Sequence, residues 1–586
     1  MVRNKQWIMG VAMGLGMVLS VGCATSPTRQ LVKNSPFTKP ETLEKIKQQE
    51  VRSEKLIEDD GVRVESWALS GALPDTIGLS PLQASDDLEG ALLDAISSGR
   101  NKELRATRGM SCAAREMGWF ALHHDGKEPA ESIKDFIRHR CGVVASQLSV
   151  MSWSLNLSEG QKFSLSMLND EFYTDLKSSV PKWLKKVGPS EVGIATVEIE
   201  GKAGIYVVAG KRNINMNPIK MVPKGDVVRI EGELLTNAVE LGGAVTSGDY
   251  GAEHCVVDSR VKLPQFRMTC PLSSADKRAR FELYSQTKGS ILTSVIFDQM
   301  VWPAGVIEDE YRASTIRQVL KGFESPVQGD ERYLVYLNKV RESAGLSPLS
   351  LLLEQSSSAH TLVPNLFDAL RQDDDDTSND IVMGLLAGWD VQEDILDAHL
   401  RIAGVADGSI VSLIEDMLES PGGRASLLDP DGNALALGEV REENGSLGAI
   451  MLVYEFVPQE TYIRRIARAW RTINAARKLS KKSPIKRSKK VLSRSEKISK
   501  KIESGEWSYD KGVERLLDVV SAAYGNVSVY SYTYITHDLE DFSLHADLLD
   551  AKSAEAVVMV TPLKVEGYPW TLYTVVIVVP SNRLKK

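Results

Sequence analysis

The sequence predicts a multidomain α+β fold, and three patterns carry that prediction. Segments with apolar residues at helical spacing lead into strand hairpins. A run of short alternating strands, broken by Gly and Pro, lies between two such blocks. The chain of 586 residues is long enough for several cores at roughly 100 to 200 residues per domain. Hydrophobic content of 43% with 25% charged residues is that of ordinary globular protein, which excludes extensive disorder and a polytopic membrane protein.

The chain opens with an export signal. Arg3 and Lys5 supply a positive start, Trp7 to Gly22 an apolar stretch of sixteen residues, and Ser20-Val21-Gly22-Cys23 a small-residue cleavage site. That stretch is short for a spanning helix, which needs about 20 apolar residues. It resembles bacterial lipoprotein signals, although Ser20 stands where Leu is usual and Leu19 lies one position earlier. The resemblance implies that residues 1–23 end at a lipidated Cys23 and that the protein is exported and anchored in the cell envelope. The outer membrane is the expected site, at its periplasmic face or at the cell surface.

Residues 24–60 read as a polar tether, with Pro27, Pro36 and Pro40 ahead of a charged run. The block 61–215 starts with helical spacing at Leu88, Leu92, Leu93 and Ile96, continues through Met110 to Leu122 and Ile133 to Cys141, and closes on strands Val192 to Ile199 and Ile205 to Ala209. Residues 216–305 carry the strands Val227 to Leu235, Val256 to Leu263, Phe281 to Ser285 and Ile291 to Phe297, a pattern of a small antiparallel sandwich. Block 326–460 again runs from helices into a hairpin, Ala434 to Val440 and Leu447 to Val457 around Asn444-Gly445. Residues 461–510 read as a basic helical linker. Residues 511–586 read as an α/β domain, with helix Lys511 to Ala523 before strands Val527 to Thr536, Ala556 to Val560 and Thr571 to Val579. The shared order of helices and hairpin predicts an internal repeat, partial at the C-terminus.

Besides Cys23, four cysteines remain. Cys112 and Cys141 share one helical region and Cys255 and Cys270 one strand region, so pairing within each region needs the fewest assumptions among three connectivities. Each bridge contributes roughly 3 to 4 kcal/mol by the chain-entropy model.

Leu337-Asn338-Lys339-Val340-Arg341 with Gly345-Leu346-Ser347-Pro348-Leu349 resembles the opening helix and turn of the CAP superfamily, also called SCP-like domains. Ser420-Pro421-Gly422-Gly423-Arg424, Leu427-Leu428-Asp429-Pro430 and Leu437-Gly438-Glu439-Val440 resemble that family's approach to its central sheet. The resemblance implies CAP-like α-β-α sandwich domains flanking an Ig-like antiparallel β-sandwich, with block 61–215 a more degenerate copy. It also implies a cleft of two His and two acidic residues, from which this chain departs. The histidine after Ser-Pro-Gly falls on Gly423, the second is replaced by the run Asp373 to Asp376 and its neighbours, and His360 aligns with a surface position.

Elsewhere no Gly-x-Ser-x-Gly, Walker loop, His-Glu-x-x-His or dinucleotide fingerprint occurs. No catalytic residue, cofactor or metal is therefore assigned. His123-His124 are adjacent and point to different helix faces, while His537 and His545 flank acids without ligand spacing. Asp429-Pro430-Asp431-Gly432-Asn433 reads as a turn, and Asp373 to Asp376 as a hydrated loop.

Ile463 to Lys501 holds sixteen basic residues against Glu496 alone, a charge of +15 in a chain of −8, which leaves −23 elsewhere. Lys481, Lys482, Lys486, Arg487, Lys489 and Lys490 are the expected contacts to anionic lipid or lipopolysaccharide, at about 1 kcal/mol per basic residue near the surface. An exported protein has no nucleic acid to meet. The reading is a non-catalytic envelope lipoprotein with CAP-like binding or scaffold domains, partnered by the membrane and by an envelope protein or glycan. The alternatives are a CAP-type hydrolase or peptidase with a relocated site and a lipid carrier using a CAP groove. Cys23→Ser is expected to move the protein from the membrane fraction to the soluble fraction on cell fractionation, whereas continued pelleting would assign anchoring to another element.

Overall fold

The computed structural model describes residues 61–71, 73–78, 105–158, 161–164, 170–199, 201–273, 276–287, 293–372, 374–405, 408–443, 445–536, 538–540, 542–564 and 570–585, with Ile46. Cys23, most of the tether, the helical spacing at Leu88 to Ile96, Asp373 and His537 lie outside the described residues. The chain is mixed α+β and divides into two compact units, one of Ile46–Ile381 and His399–Val453, the other of Val382–Ala398 and Tyr454–Lys586.

The first unit begins with two short strands, β1 (Ser66–Ala68) and β2 (Thr76–Ile77). β3 (Arg105–Ala106) leads into α1 (Arg108–His123), capped by Thr107, whose hydroxyl accepts the Met110 amide. Met110, Ala113, Ala114, Met117 and Phe120 recur at helical spacing and are all buried. α2 (Glu131–Arg140), β4 (Ser149–Asn156), α3 (Asp170–Val187), β5 (Glu191–Ile199) and β6 (Lys202–Gly210) complete a sheet of order β3-β5-β6-β4. α1 lies hard against β5, where a Cβ on Gly193 would come within 2.1 Å of the Met110 carbonyl carbon. The Cys112–Cys141 disulfide joins α1 to the end of α2.

β7 (Ile214–Met216), β8 (Ile219–Lys220), β9 (Val227–Leu234), β10 (Ala238–Ser247), β11 (Gly251–His254), β12 (Val256–Val257), β13 (Gln265–Pro271), β14 (Ala279–Thr287) and β15 (Thr293–Val301) follow. They form two four-stranded sheets, β11-β10-β14-β15 and β12-β13-β9-β7, while β8 pairs with β2. Ile230, Phe266 and Met268 of one sheet share a core with Val245, Phe281, Leu283 and Phe297 of the other. Cys255, just before β12, is disulfide-bonded to Cys270 on β13. The strand expected over Val256 to Leu263 stops at Val257, because Asp258 accepts the Arg260 amide at 3.1 Å and also binds its guanidinium, which turns the chain. β10 escapes sequence reading since Gly242-Gly243 looks like a loop; Gly242 in fact lies under Tyr284, 2.2 Å from where a Cβ would stand.

β16 (Glu310–Arg312) pairs with β1. α4 (Thr315–Leu320), α5 (Asp330–Ser343), β17 (Ser350–Leu351), α6 (Leu353–Gln372), α7 (Asp375–Leu386), β18 (Ile395–Val405), α8 (Ile410–Glu419), α9 (Pro421–Leu427), β19 (Ala434–Arg441) and β20 (Leu447–Phe456) come next, with sheet order β17-β19-β20-β18.

In the second unit, α10 (Tyr462–Leu479), β21 (Lys486–Arg487), α11 (Leu492–Glu503), α12 (Tyr509–Ala523), β22 (Val529–Thr536), α13 (Ala546–Asp550), β23 (Ser553–Lys564), β24 (Thr571–Pro580) and β25 (Leu584–Lys585) build a sheet of order β21-β23-β24-β22. The segment 461–510 is therefore not a linker. Tyr462, Ile466, Ala469 and Ile473 of α10 are buried in one core with Val557 to Val560 and Val575 to Val579.

The three helix-and-sheet blocks share one topology. Each has a short strand running parallel to the first hairpin strand, β3 to β5, β17 to β19 and β21 to β23. In each, the next amide extends that ladder, from Thr107 to Val192, Leu352 to Leu435 and Ser488 to Ala556. The second and third blocks also share a turn. Asn338 Oδ1 accepts the Leu349 amide at 2.8 Å, and Asn474 Oδ1 accepts that of Ile485 at 3.1 Å. Arg341 Nε donates to Ser347 O at 2.9 Å and Arg477 Nε to Ser483 O at 2.7 Å. Arg341 further donates to Leu427 O and Asp429 O, and Arg477 to Leu548 O, Leu549 O and Ala551 O. Both guanidiniums are buried, so each staple satisfies carbonyls that water does not reach. The third repeat thus begins at α10, and Asn474-x-x-Arg477 with Ser483-Pro484 is its mark in the sequence.

Arg477→Met leaves those carbonyls without donors and is expected to destabilise the second unit by about 3 kcal/mol. Hydrogen exchange at the β23 and β24 amides measures it, and unchanged protection would show that the staple is dispensable.

Candidate functional site

α2 is polar in composition, yet Asp135, Arg138, His139 and Arg140 are all buried. Arg140 donates to Asp309 and to the Pro74 carbonyl, while the other three find partners on β14 and β15. Alternation along β14 sends Phe281 and Leu283 into the two-sheet core and Arg280 and Glu282 to the opposite face, where Asp298 of β15 stands beside Glu282 in register. Arg138 Nη2 donates to Asp135 Oδ1 at 2.9 Å and Asp298 Oδ2 at 2.7 Å. Arg280 Nη2 donates to Asp135 Oδ2 at 3.1 Å and Asp298 Oδ2 at 2.6 Å. Two guanidiniums thus balance two carboxylates in a place where unpaired charge would be prohibitive.

His139 Nε2 lies 2.8 Å from Asp298 Oδ2 and 2.8 Å from Arg138 Nη2. Arg138 Nη2 spends both protons on Asp135 and Asp298, so its approach to His139 is a contact between donors, and the imidazole is neutral with Nε2–H on Asp298. Burial and then the Arg138 charge push the His139 pKa down to about 4. Burial works to raise Asp298, but Arg138 and Arg280 outweigh it and hold that carboxyl well below the usual range. Donor atoms of Asp135, His139 and Asp298 converge within 4.8 Å, as metal ligands would. Arg138 and Arg280 already donate to the same carboxylates, so a cation would meet two fixed positive charges there.

The hub continues to α8 and α9. Glu282 Oε2 accepts the Gly422 amide at 3.3 Å beside buried Arg401. Burial raises Glu282 and lowers Arg401 to about 10. Next to the hub opens a cavity of about 610 Å³, whose lining includes Asp135, Arg278, Arg280, Tyr311, Glu419 and Arg424. Arg424 donates from Nε to Leu418 O at 2.9 Å and from Nη1 to Gly248 O at 3.1 Å. Glu415 and Glu419 are one helical turn apart on α8. Burial, and then the Glu419 charge, raise Glu415 to about 7, while Ser314 Oγ donates to it at 3.1 Å; burial raises Glu419 as well.

The residues singled out in the sequence fall elsewhere. His360 is not a free surface residue: Nε2 lies 2.9 Å from Asp330 Oδ1 and Nδ1 accepts the Glu439 amide at 3.1 Å, so both nitrogens are engaged, next to Tyr333, which donates to Glu439. Gly423 admits no side chain, since a Cβ would sit 1.6 Å from Met417 O. Asp429 accepts the Asp431 amide and meets His399 Nε2 at 3.1 Å, as a turn residue. Asp374 to Asp376 form a helix start rather than a hydrated loop: Asp374 accepts the Thr377 amide, and Asp375 and Asp376 occupy the favourable first turn of α7. His123 and His124 bond the Trp119 and Phe120 carbonyls, and His545 accepts the Asp547 amide.

Lys481, Lys482, Lys486, Arg487, Lys489 and Lys490 flank and form β21, the short strand that opens the third repeat's sheet. Lys482 reaches Asp550 O at 3.5 Å, and Lys490 stands 4.3 Å above the Tyr524 ring. Leu479, between Lys478 and Lys481, is 86% exposed. Among the described residues no helix is long and apolar enough to cross a membrane. The ionic hub escaped sequence reading because Arg280 and Glu282 alternate with apolar residues, the pattern of a solvent face. The run of charge in Asp135-Phe136-Ile137-Arg138-His139-Arg140 was the one available signal.

No protein-family model matches the chain, and no curated protein matches it. Among solved structures, a cysteine-rich secretory protein from Staphylococcus aureus aligns at 12% identity over 47% of this chain and 91% of that one, with a TM-score of 0.16.

The depressed His139 pKa sets a pH window. The unfolded chain takes up a proton near pH 6.5 that the folded chain refuses until about pH 4. The His139 contribution to stability is therefore intact above pH 6.5 and falls by on the order of 3 kcal/mol as pH drops to about 4, while Glu415, raised to about 7, contributes with the opposite sign over part of the same range. Asp298 adds its own loss only below its ordinary 3.8. Urea unfolding between pH 7 and 4.5 is expected to show a stability difference between the parent and His139→Gln that declines steadily as pH falls, and a difference independent of pH would remove the His139 contribution.

Proposed function

We propose that the chain is a lipid-anchored, non-catalytic binding protein of the cell envelope, built from three CAP-like repeats with an immunoglobulin-like two-sheet domain after the first. The observation that carries the non-catalytic reading is Gly423, at the position where the resemblance calls for a histidine: Met417 O fills the space that any side chain would need. His360 supports it, since hydrogen bonds to Asp330 and Glu439 occupy both ring nitrogens. Neither of these two positions offers a free imidazole. The two disulfides suit an oxidising, extracytoplasmic compartment, consistent with export. A lipid carrier fits less well, because the cavity of the first unit is lined by acidic and basic side chains.

Anchoring through Cys23 is paired in this reading with a second contact to anionic lipid or lipopolysaccharide through the basic segment around β21. Leu479 is an apolar tip among lysines, suited to enter the head-group layer while its neighbours meet phosphates. The envelope protein or glycan partner binds on other faces. A hydrolase with relocated carboxylates is the second reading, favoured by Glu415, which is held near neutrality beside Glu419.

In a Cys23→Ser background, joint neutralisation of Lys481, Lys482, Lys486, Arg487, Lys489 and Lys490 to Gln is expected to abolish salt-sensitive sedimentation with anionic liposomes, with Leu479→Ser weakening it several-fold. Retention equal to that of the parent would remove the second membrane contact from the proposal.

A further inference from the structure

We infer that the cavity of the first unit binds a small zwitterion, an amino acid or short peptide with free termini, held between Arg278 and Glu419. This inference rests on the binding role proposed above and names its ligand class.

The cavity, at about 610 Å³, has the volume of ordinary small-ligand sites. Most of its charged lining is already committed. Asp135 and Arg280 belong to the ionic hub, Asp276 accepts the Gly248 amide, Arg312 pairs with Glu310, and Arg424 donates to two carbonyls. Arg278, Glu308 and Glu419 are different: all three are half-buried, and among the described residues none has a hydrogen bond or an ion pair, and it is Arg278 and Glu419 whose opposite charges act on one another. They feel each other's charge but do not pair, so they are separated by more than a salt-bridge distance. Half-buried charges of opposite sign, held apart across one cavity, present a carboxylate site and an ammonium site to a single molecule.

Tyr311 and Ser132, joined by a hydrogen bond of 3.1 Å, add hydroxyls to the same lining. An apolar ligand would strand all of these groups, and a simple anion would leave Glu419 unpaired.

The test is calorimetric titration of the full chain with Ala-Ala bearing free termini, then with its N-acetyl and C-amide forms, followed by mass spectrometry of the recovered peptide. Saturable binding of Ala-Ala is expected, with each blocked form at least tenfold weaker. Arg278→Gln should erase the preference for a free carboxylate, and Glu419→Gln the preference for a free amine, in variants whose thermal unfolding matches the parent. Absence of saturable binding, or both preferences surviving in both variants, overturns the inference and leaves the binding role of the anchored chain in place. Recovery of cleaved peptide would instead support the site and overturn the non-catalytic reading.

Discussion

A buried guanidinium must find acceptors for its donors, and this requirement organises the protein. Arg138 and Arg280 meet it with carboxylates: Asp298 receives both, and Asp135 receives both again. That arrangement ties α2 to β14 and β15, and so the first repeat to the two-sheet domain. Arg341 and Arg477 meet it with main-chain carbonyls, closing the turn that begins the second and third repeats. The first solution neutralises charge and couples layers; the second leaves the positive charge in place and fixes loop geometry. In both, removing one partner costs more than the interaction itself is worth, because the other stays buried.

The cavity follows from the same constraint. Two carboxylates, two guanidiniums and a neutral imidazole make up the hub, so a cation placed where Asp135, His139 and Asp298 converge would meet the charges of Arg138 and Arg280. Beyond the hub the commitments thin out, and Arg278 and Glu419 have no hydrogen bond or ion pair among the described residues. The first unit gathers buried charges of both signs at the two-sheet domain.

Much of the fold was legible because it rests on local period. Met110 to Phe120 repeat at helical spacing, the hairpins of β5 with β6 and β19 with β20 are continuous apolar runs, and the cysteines pair within their own regions. β10 was hidden by Gly242-Gly243, whose reason is the ring of Tyr284 from another strand. The basic segment misled for a similar reason. Its charge density concealed the buried face of α10, where Tyr462, Ile466, Ala469 and Ile473 lie together with Arg465 and Arg477, although Asn474 and Arg477 already repeated the spacing of Asn338 and Arg341.

By itself the sequence determined the α+β class, the order of helices before hairpins, and a C-terminal half with one strongly basic stretch. These are properties of neighbouring residues, and short-range spacing is enough to specify them. Only the tertiary structure decided which polar residues are buried, that Arg280 and Asp298 face α2 rather than water, that Gly423 is walled in by Met417, and that Arg278 and Glu419 share a cavity. Each of those depends on groups far apart in the chain whose approach no local pattern encodes, because a charged side chain on an alternating strand reads the same whether it faces solvent or a partner.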